Sequence, residues 1–147
     1  MGVLRCVIAA VLLMAAFPVA AMSQEKDIAG SKDHPLFTRM PNFYISEYKE
    51  SEYEKTDFYD NDKQKLVPVE GHSFHITYKL KQGAKRPADD AIKDNYVNAI
   101  KKIGGSGYRI NASHVEMKLS KKGGEIWADV GADSSGYSLL VVEKGNV

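Results

Sequence analysis

The amino-acid sequence predicts an α+β fold, an antiparallel β-sheet of about five to six strands with one main α-helix packed on one face. Three observations predict it. From Gly71 to Leu80, Phe74, Ile76, Tyr78 and Leu80 alternate with Ser73, His75, Thr77 and Lys79, a period of two with one buried face. Ile92, Tyr96, Ile100 and Ile103 recur at helical spacing, with Val97 and Ala99 beside them. After that helix come three short strand-like segments separated by turn residues, a strand meander, the first two of them alternating. One helix among sequential strands buries its apolar stripe by lying across the sheet.

The elements follow in order. Phe43 to Lys49 is aromatic-rich and reads as a first strand, and Tyr53 to Tyr59 as a second. Asp60-Asn61-Asp62 is a turn, because Asp and Asn side chains bond their own backbone. The alternating strand to Leu80 ends in a loop from Gly83 to Arg86. Pro87 suits the first turn of the helix, Asp89 and Asp90 complement its positive end, and Gly104-Gly105 stops it. Val115, Met117 and Leu119 mark the next strand, and Lys121-Lys122-Gly123-Gly124 a hairpin turn. Ile126, Ala128 and Val130 mark another strand, Asp133 to Gly136 a turn, and Tyr137 to Glu143 the last strand. Leu139-Leu140-Val141-Val142 is apolar on both faces, and a helix covers only one. The segment around Leu36 and Phe37 is the expected cover for the other face. The alternative is a docking surface for a partner or a second copy of the chain.

The amino terminus reads as a secretory signal. Arg5 precedes an unbroken apolar run from Val7 to Phe17, Pro18 breaks it, and Val19-Ala20-Ala21 supplies the small residues of a cleavage site. The run is too short for a transmembrane helix, which needs about 20 apolar residues. Cleavage is expected after Ala21, with Ser23 as the alternative. The organisation is then a signal peptide over 1–21, an extended mature segment over 22–42 with a flexible polar start to Ser31, and one domain over 43–147. Cys6, the only cysteine, leaves with the signal, so the mature chain has no disulfide, thiol nucleophile or thiolate metal site. Of 20 basic residues Arg5 also leaves, so 19 basic face 19 acidic ones. A balanced charge provides no field for nucleic acid or anionic lipid.

Several stretches in order carry a resemblance. They are Lys32-Asp33-His34-Pro35-Leu36-Phe37-Thr38-Arg39-Met40-Pro41, Val69-Glu70-Gly71, His75-Ile76-Thr77-Tyr78-Lys79-Leu80, Asn95-Tyr96-Val97-Asn98-Ala99-Ile100 and Gly104-Gly105. Together they resemble an uncharacterised periplasmic domain of Gram-negative bacteria that often precedes an OmpA-type C-terminal domain. The resemblance implies residence in the cell envelope, in the periplasm, and association with the outer membrane through partners. The helical stretch with which OmpA-type domains grip peptidoglycan has no counterpart in this sequence, so no peptidoglycan site carries over. No catalytic residue is transferred either.

Candidate chemistry is sparse. His72 and His75 have metal-like spacing, but an odd offset on a strand points them to opposite faces, and His34 and His114 lie far off in sequence. Asp89, Asp90 and Asp94 could hold calcium or act as an acid and base, yet acids belong in a helix's first turns. Asp57, Asp60 and Asp62 lack the glycine and glutamate of a calcium loop. Gly104 to Gly107 follows a helix, where no free N–H groups cradle phosphate. Ser106 lacks a nucleophile elbow, and the Asn111-Ala112-Ser113 triplet carries no weight in a bacterial envelope protein. No cofactor and no metal are expected.

Aromatic residues remain. Tyr44, Tyr48, Tyr53, Phe58 and Tyr59 crowd the first third of the mature chain, and Trp127 points away from Ile126 and Val130. Exposed rings suit glycan stacking or a protein interface. Trp127, Tyr48, Tyr44, Leu140 and Val142 are therefore the candidate binding residues of a sheet surface. The expected function is a non-catalytic envelope module that binds or scaffolds, with an envelope protein, a glycan or a second copy as partner. The alternative is a small periplasmic hydrolase, which requires two of His34, His75 and His114 to converge with carboxylates in one pocket.

Overall fold

The computed structural model describes residues 25–145, so the expected signal peptide over 1–21 lies outside the described residues. The chain forms β1 (Phe43–Asp60), β2 (Lys65–Leu80), α1 (Asp89–Lys102), β3 (Ser106–Arg109), β4 (His114–Lys121), β5 (Gly124–Ala132) and β6 (Gly136–Gly145). The strands make one antiparallel sheet in the order β1-β2-β6-β5-β4-β3, with α1 across one face. No helix among the described residues is long and apolar enough to cross a membrane.

The α+β architecture and its single helix match the sequence pattern, but the strands divide differently. The two expected strands over Phe43 to Lys49 and Tyr53 to Tyr59 are one 18-residue strand, and β2 begins at Lys65, not Gly71. Register shifts between Ile45 and Glu47 and between Ser51 and Glu54 let β1 bend without ending. Pro68 hid the first part of β2, since proline reads against a strand. It is tolerated because β6 pairs with β2 only from His72 onward, leaving this stretch with β1 as its one neighbour. The short β3, within what reads as a helix-stop loop, pairs with β4 at the far edge.

The helix face of the sheet carries the main core. Ile92, Tyr96, Val97 and Ile100 of α1 pack on Phe74, Ile76, Tyr78, Met117, Leu139 and Val141. Ile103, expected on that face, is the C-cap residue and 49% exposed. Gly104 ends the helix at a φ of +91°, which favours glycine.

Leu36 and Phe37 belong to this same core, which corrects the expectation that they cover the opposite face. His34 and Phe37 wedge the N-terminal segment against Phe74 and Tyr96, with ring centroids 4.8 and 5.4 Å apart respectively. Tyr78 donates to Asp33 at 2.7 Å, and Arg39 holds both Asp33 and Asp27. The stretch expected to be flexible is also docked, since Ile28 N–H donates to Ile45 C=O and Asp27 accepts from Ile45 N–H. It caps part of the outer edge of β1.

The second face is closed by the chain's own hairpin. Val67, Val69, Gly71, Ser73 and His75 share this side of β2, and Phe58 faces Val67 across the pair. The outer half of the β1–β2 hairpin folds over the sheet, and Phe58 and Val69 bury Trp127 and Val142, with Val67 and Leu140 at the margin. Gly71 sits at the bend, where a Cβ would lie 1.9 Å from the carbonyl oxygen of Glu143. Only a residue without a side chain permits that approach.

Candidate functional site

The five candidate binding residues divide between the two faces. Trp127 is 2% exposed and Val142 fully buried, both beneath the hairpin, while Leu140 is half-buried at its margin. Trp127 packs on Phe58 with ring centroids 5.8 Å apart, carries the Lys118 ammonium 4.6 Å from its ring centre, and donates to Glu125 at 3.1 Å. Tyr48 is half-buried against the main core and donates to Glu50 at 2.8 Å. Tyr44 is half-buried near Arg39 and Lys81. The expected open surface of Trp127 and Val142 is therefore interior, because the folded hairpin supplies the apolar partner that the paired residues of β5 and β6 require.

His34 and His72 share Glu143, whereas His75 and His114 each pair with a carboxylate of their own. His34, 2% exposed, bonds Glu143 through Nε2 at 3.0 Å, and its Nδ1 accepts from Leu36 N–H at 3.3 Å. Those bonds assign the neutral tautomer protonated at Nε2. Burial holds its pKa below the ordinary value, with the Glu143 carboxylate opposing. His72 bridges Glu50 at 3.0 Å and Glu143 at 3.7 Å on the same side. His75 bonds Glu54 on the other face, as its odd offset from His72 predicts. His114 bonds Asp129 at 2.9 Å, its ring lying over Gly131, where a Cβ would meet the imidazole at 2.5 Å. Thus His34, His75 and His114 do not share a pocket, and among the described residues no group of three or more His, Cys, Asp or Glu side chains is placed to hold a metal ion.

The helical acids are engaged by bases. Asp89 pairs with Arg86 at 2.6 Å, and Asp90 with Arg109 at 2.8 Å and with Lys93 at 3.1 Å. Lys93 is itself buried and donates to the carbonyl of Ala112, which ties α1 to the β3–β4 loop. Asp60 forms the expected turn, its Oδ1 accepting from Asp62 and Lys63 N–H at 3.0 and 3.1 Å.

The region that sequence reasoning missed lies where the hairpin tip meets β3 and β4. Glu116, which pairs with Asp129 across β4 and β5, is buried on the second face and accepts from Tyr59 N–H at 2.7 Å. Burial pushes the Glu116 carboxyl up to about 7, and the nearby Asp129 charge adds to that rise against the Tyr59 N–H and His114. Asp129 is also raised by burial, against its bond to His114. Tyr108 donates to Tyr59 C=O at 2.7 Å and accepts weakly from Asn61 N–H at 3.4 Å. Beside these bonds Tyr59, Asn61, Tyr108, Arg109 and Ile110 line an open slot of about 250 Å³. The sequence carried no signal of this, because Glu116 occupies the polar position of a regular alternation between Val115 and Met117 and nothing local indicates which segment covers it.

The chain matches no known protein-family profile and no curated protein sequence.

Proposed function

We propose that this chain is an exported, non-catalytic binding module of the bacterial cell envelope, working in the periplasm and related to the domain that precedes OmpA-type C-terminal domains. The observation that carries the reading is the slot between the hairpin tip and β3. It joins two tyrosines held by backbone bonds, an amide, a guanidinium and Ile110, which is 39% exposed. Rings fixed before a ligand arrives contribute contact area at little entropic cost, and the polar groups around them orient a sugar ring or a protein side chain. Both sheet faces are occupied from within the chain, so the contact surface moves from the sheet to this edge.

The hydrolase alternative has no comparable support, since its three histidines sit in separate pairs. Titration of the labelled protein with soluble murein fragments tests the glycan arm, and a photo-crosslinker at position 110 in intact cells tests the protein arm. Saturable shifts at Tyr59 and Tyr108, lost in Tyr59→Ala, or one reproducible envelope crosslink lost with the same substitution, would support the module. Silence in both experiments would sink it.

A further inference from the structure

We propose that the outer half of the β1–β2 hairpin is a flap that opens as the buried carboxylates beneath its tip ionise, uncovering Trp127, Leu140 and Val142 and dismantling the slot. The hinge is visible in the strands. On β1 the register slips between Ser51 and Glu54, and on β2 the bend falls at Gly71, next to His72 where pairing with β6 begins. Beyond those points the hairpin pairs with no third strand among the described residues, and two sets of contacts hold it over the sheet, besides the Lys118–Asp60 pair at 3.5 Å and the Glu54 bonds to Ser73 and His75 beside the hinge. One is the small apolar cluster of Phe58 and Val69 on Trp127 and Val142. The other is a polar clasp at the tip, in which Glu116 takes Tyr59 N–H and Tyr108 donates to Tyr59 C=O.

The clasp stands on groups that burial keeps from charging. Glu116 is opposed by Asp129 on β5 and assisted by His114 on its own strand, while Lys118 on that strand pairs with Asp60 of the hairpin and Glu125 of β5. Tyr108 faces Glu116 from β3, and Tyr59, Asp60, Asp62 and Lys63 from the hairpin. Asp60 is buried with its Oδ2 lacking a hydrogen bond, the Lys118 and Lys63 ammonium groups standing at 3.5 and 3.6 Å. Closure therefore keeps Glu116 and Asp129 beside each other beneath the hairpin, and opening returns them to water. The folded Glu116 titrates near 7, above its ordinary 4.5. Its contribution to closure is complete below about 4.5 and is lost as pH rises through 7. The upward shift of Asp129 has the same sign. Asp60 shifts downward, where its turn N–H bonds and Lys118 outweigh burial, so its effect falls in acid, outside this window.

This inference concerns the protein alone and does not depend on the ligand of the slot. Amide hydrogen exchange of residues 55–69, corrected for intrinsic rates and compared with residues 92–100 of α1, reads the opening directly. Between pH 5 and 8.5 the relative protection of the hairpin is expected to fall on the order of 100-fold. In Glu116→Gln, whose amide oxygen still accepts from Tyr59 N–H, that pH slope should shrink to the smaller part left by Asp129 while protection at pH 5 stays near the native level. Should Glu116→Gln fail to fold, Asp129→Asn serves, since loss of the neighbouring charge moves the transition to higher ionisation and so to lower pH. Constant relative protection across the range, an unchanged slope in Glu116→Gln, or an unmoved transition in Asp129→Asn would overturn the flap.

Discussion

The two faces of the sheet are closed in different ways. On the first, α1 and the segment from His34 to Met40 bury a continuous core that includes Tyr78, Tyr96 and Tyr137, with the Tyr96 hydroxyl bonded to that of Tyr137 at 2.8 Å. On the second, four buried side chains are framed by Glu116, Asp129, Lys118 and Asp60. A large apolar cluster gives a cooperative unit, whereas a small one bounded by ionisable groups gives a unit that opens on its own. The same sheet therefore has a structural face and a responsive face.

Substitutions of similar chemistry on the two faces should separate them. Ile100→Ala removes a buried side chain from the main core and is expected to cost about 2–5 kcal/mol, lowering the urea midpoint for every probe. Phe58→Ala makes a cavity of the same kind, but the hairpin can release before the rest unfolds, so the global cost should stay below about 2 kcal/mol. Its signature is lost amide protection over residues 55–69 with that of α1 retained. Equal midpoints for the two variants would erase the proposed difference between the faces.

The latch at His34 sharpens the comparison, because the first face responds to acid and the second to base. Its depressed pKa means that its contribution is present above the ordinary histidine value of 6.5 and is lost as pH falls through the lower folded value. Protonation at Nδ1 removes the bond from Leu36 N–H, a loss of about 1 kcal/mol. Thermal midpoints should therefore fall as pH drops below 6.5, and His34→Gln should flatten that slope without touching the one set by Glu116. Least affected is the exposed Lys55–Glu70 pair at 3.3 Å, where Lys55→Ala should stay within about 0.5 kcal/mol by chemical denaturation.

Much of the frame was legible in the sequence. Phe74 to Leu80, Ile92 to Ile100 and the first two segments from Val115 onward declare their periods locally, and all became the elements those periods predict. The candidate site was less legible. That Leu140, Val142 and Trp127 need a cover is written in their apolarity, but which segment covers them depends on a bend at Gly71 and a register slip after Ser51. Both are long-range properties with no local period. The buried state of Glu116 depends in turn on where that bend delivers Tyr59.

The position of β6 has a consequence for assembly. It is the last strand in chain order, yet it lies between β2 and β5 and pairs with both. Until residues 136–145 arrive, the hairpin and the meander each present an open edge and no shared floor, and the central contacts await the long-range closure that pairs His72 with Glu143 and Lys79 with Gly136. Such topology delays the reward for ordering and makes folding slow and nearly all-or-none.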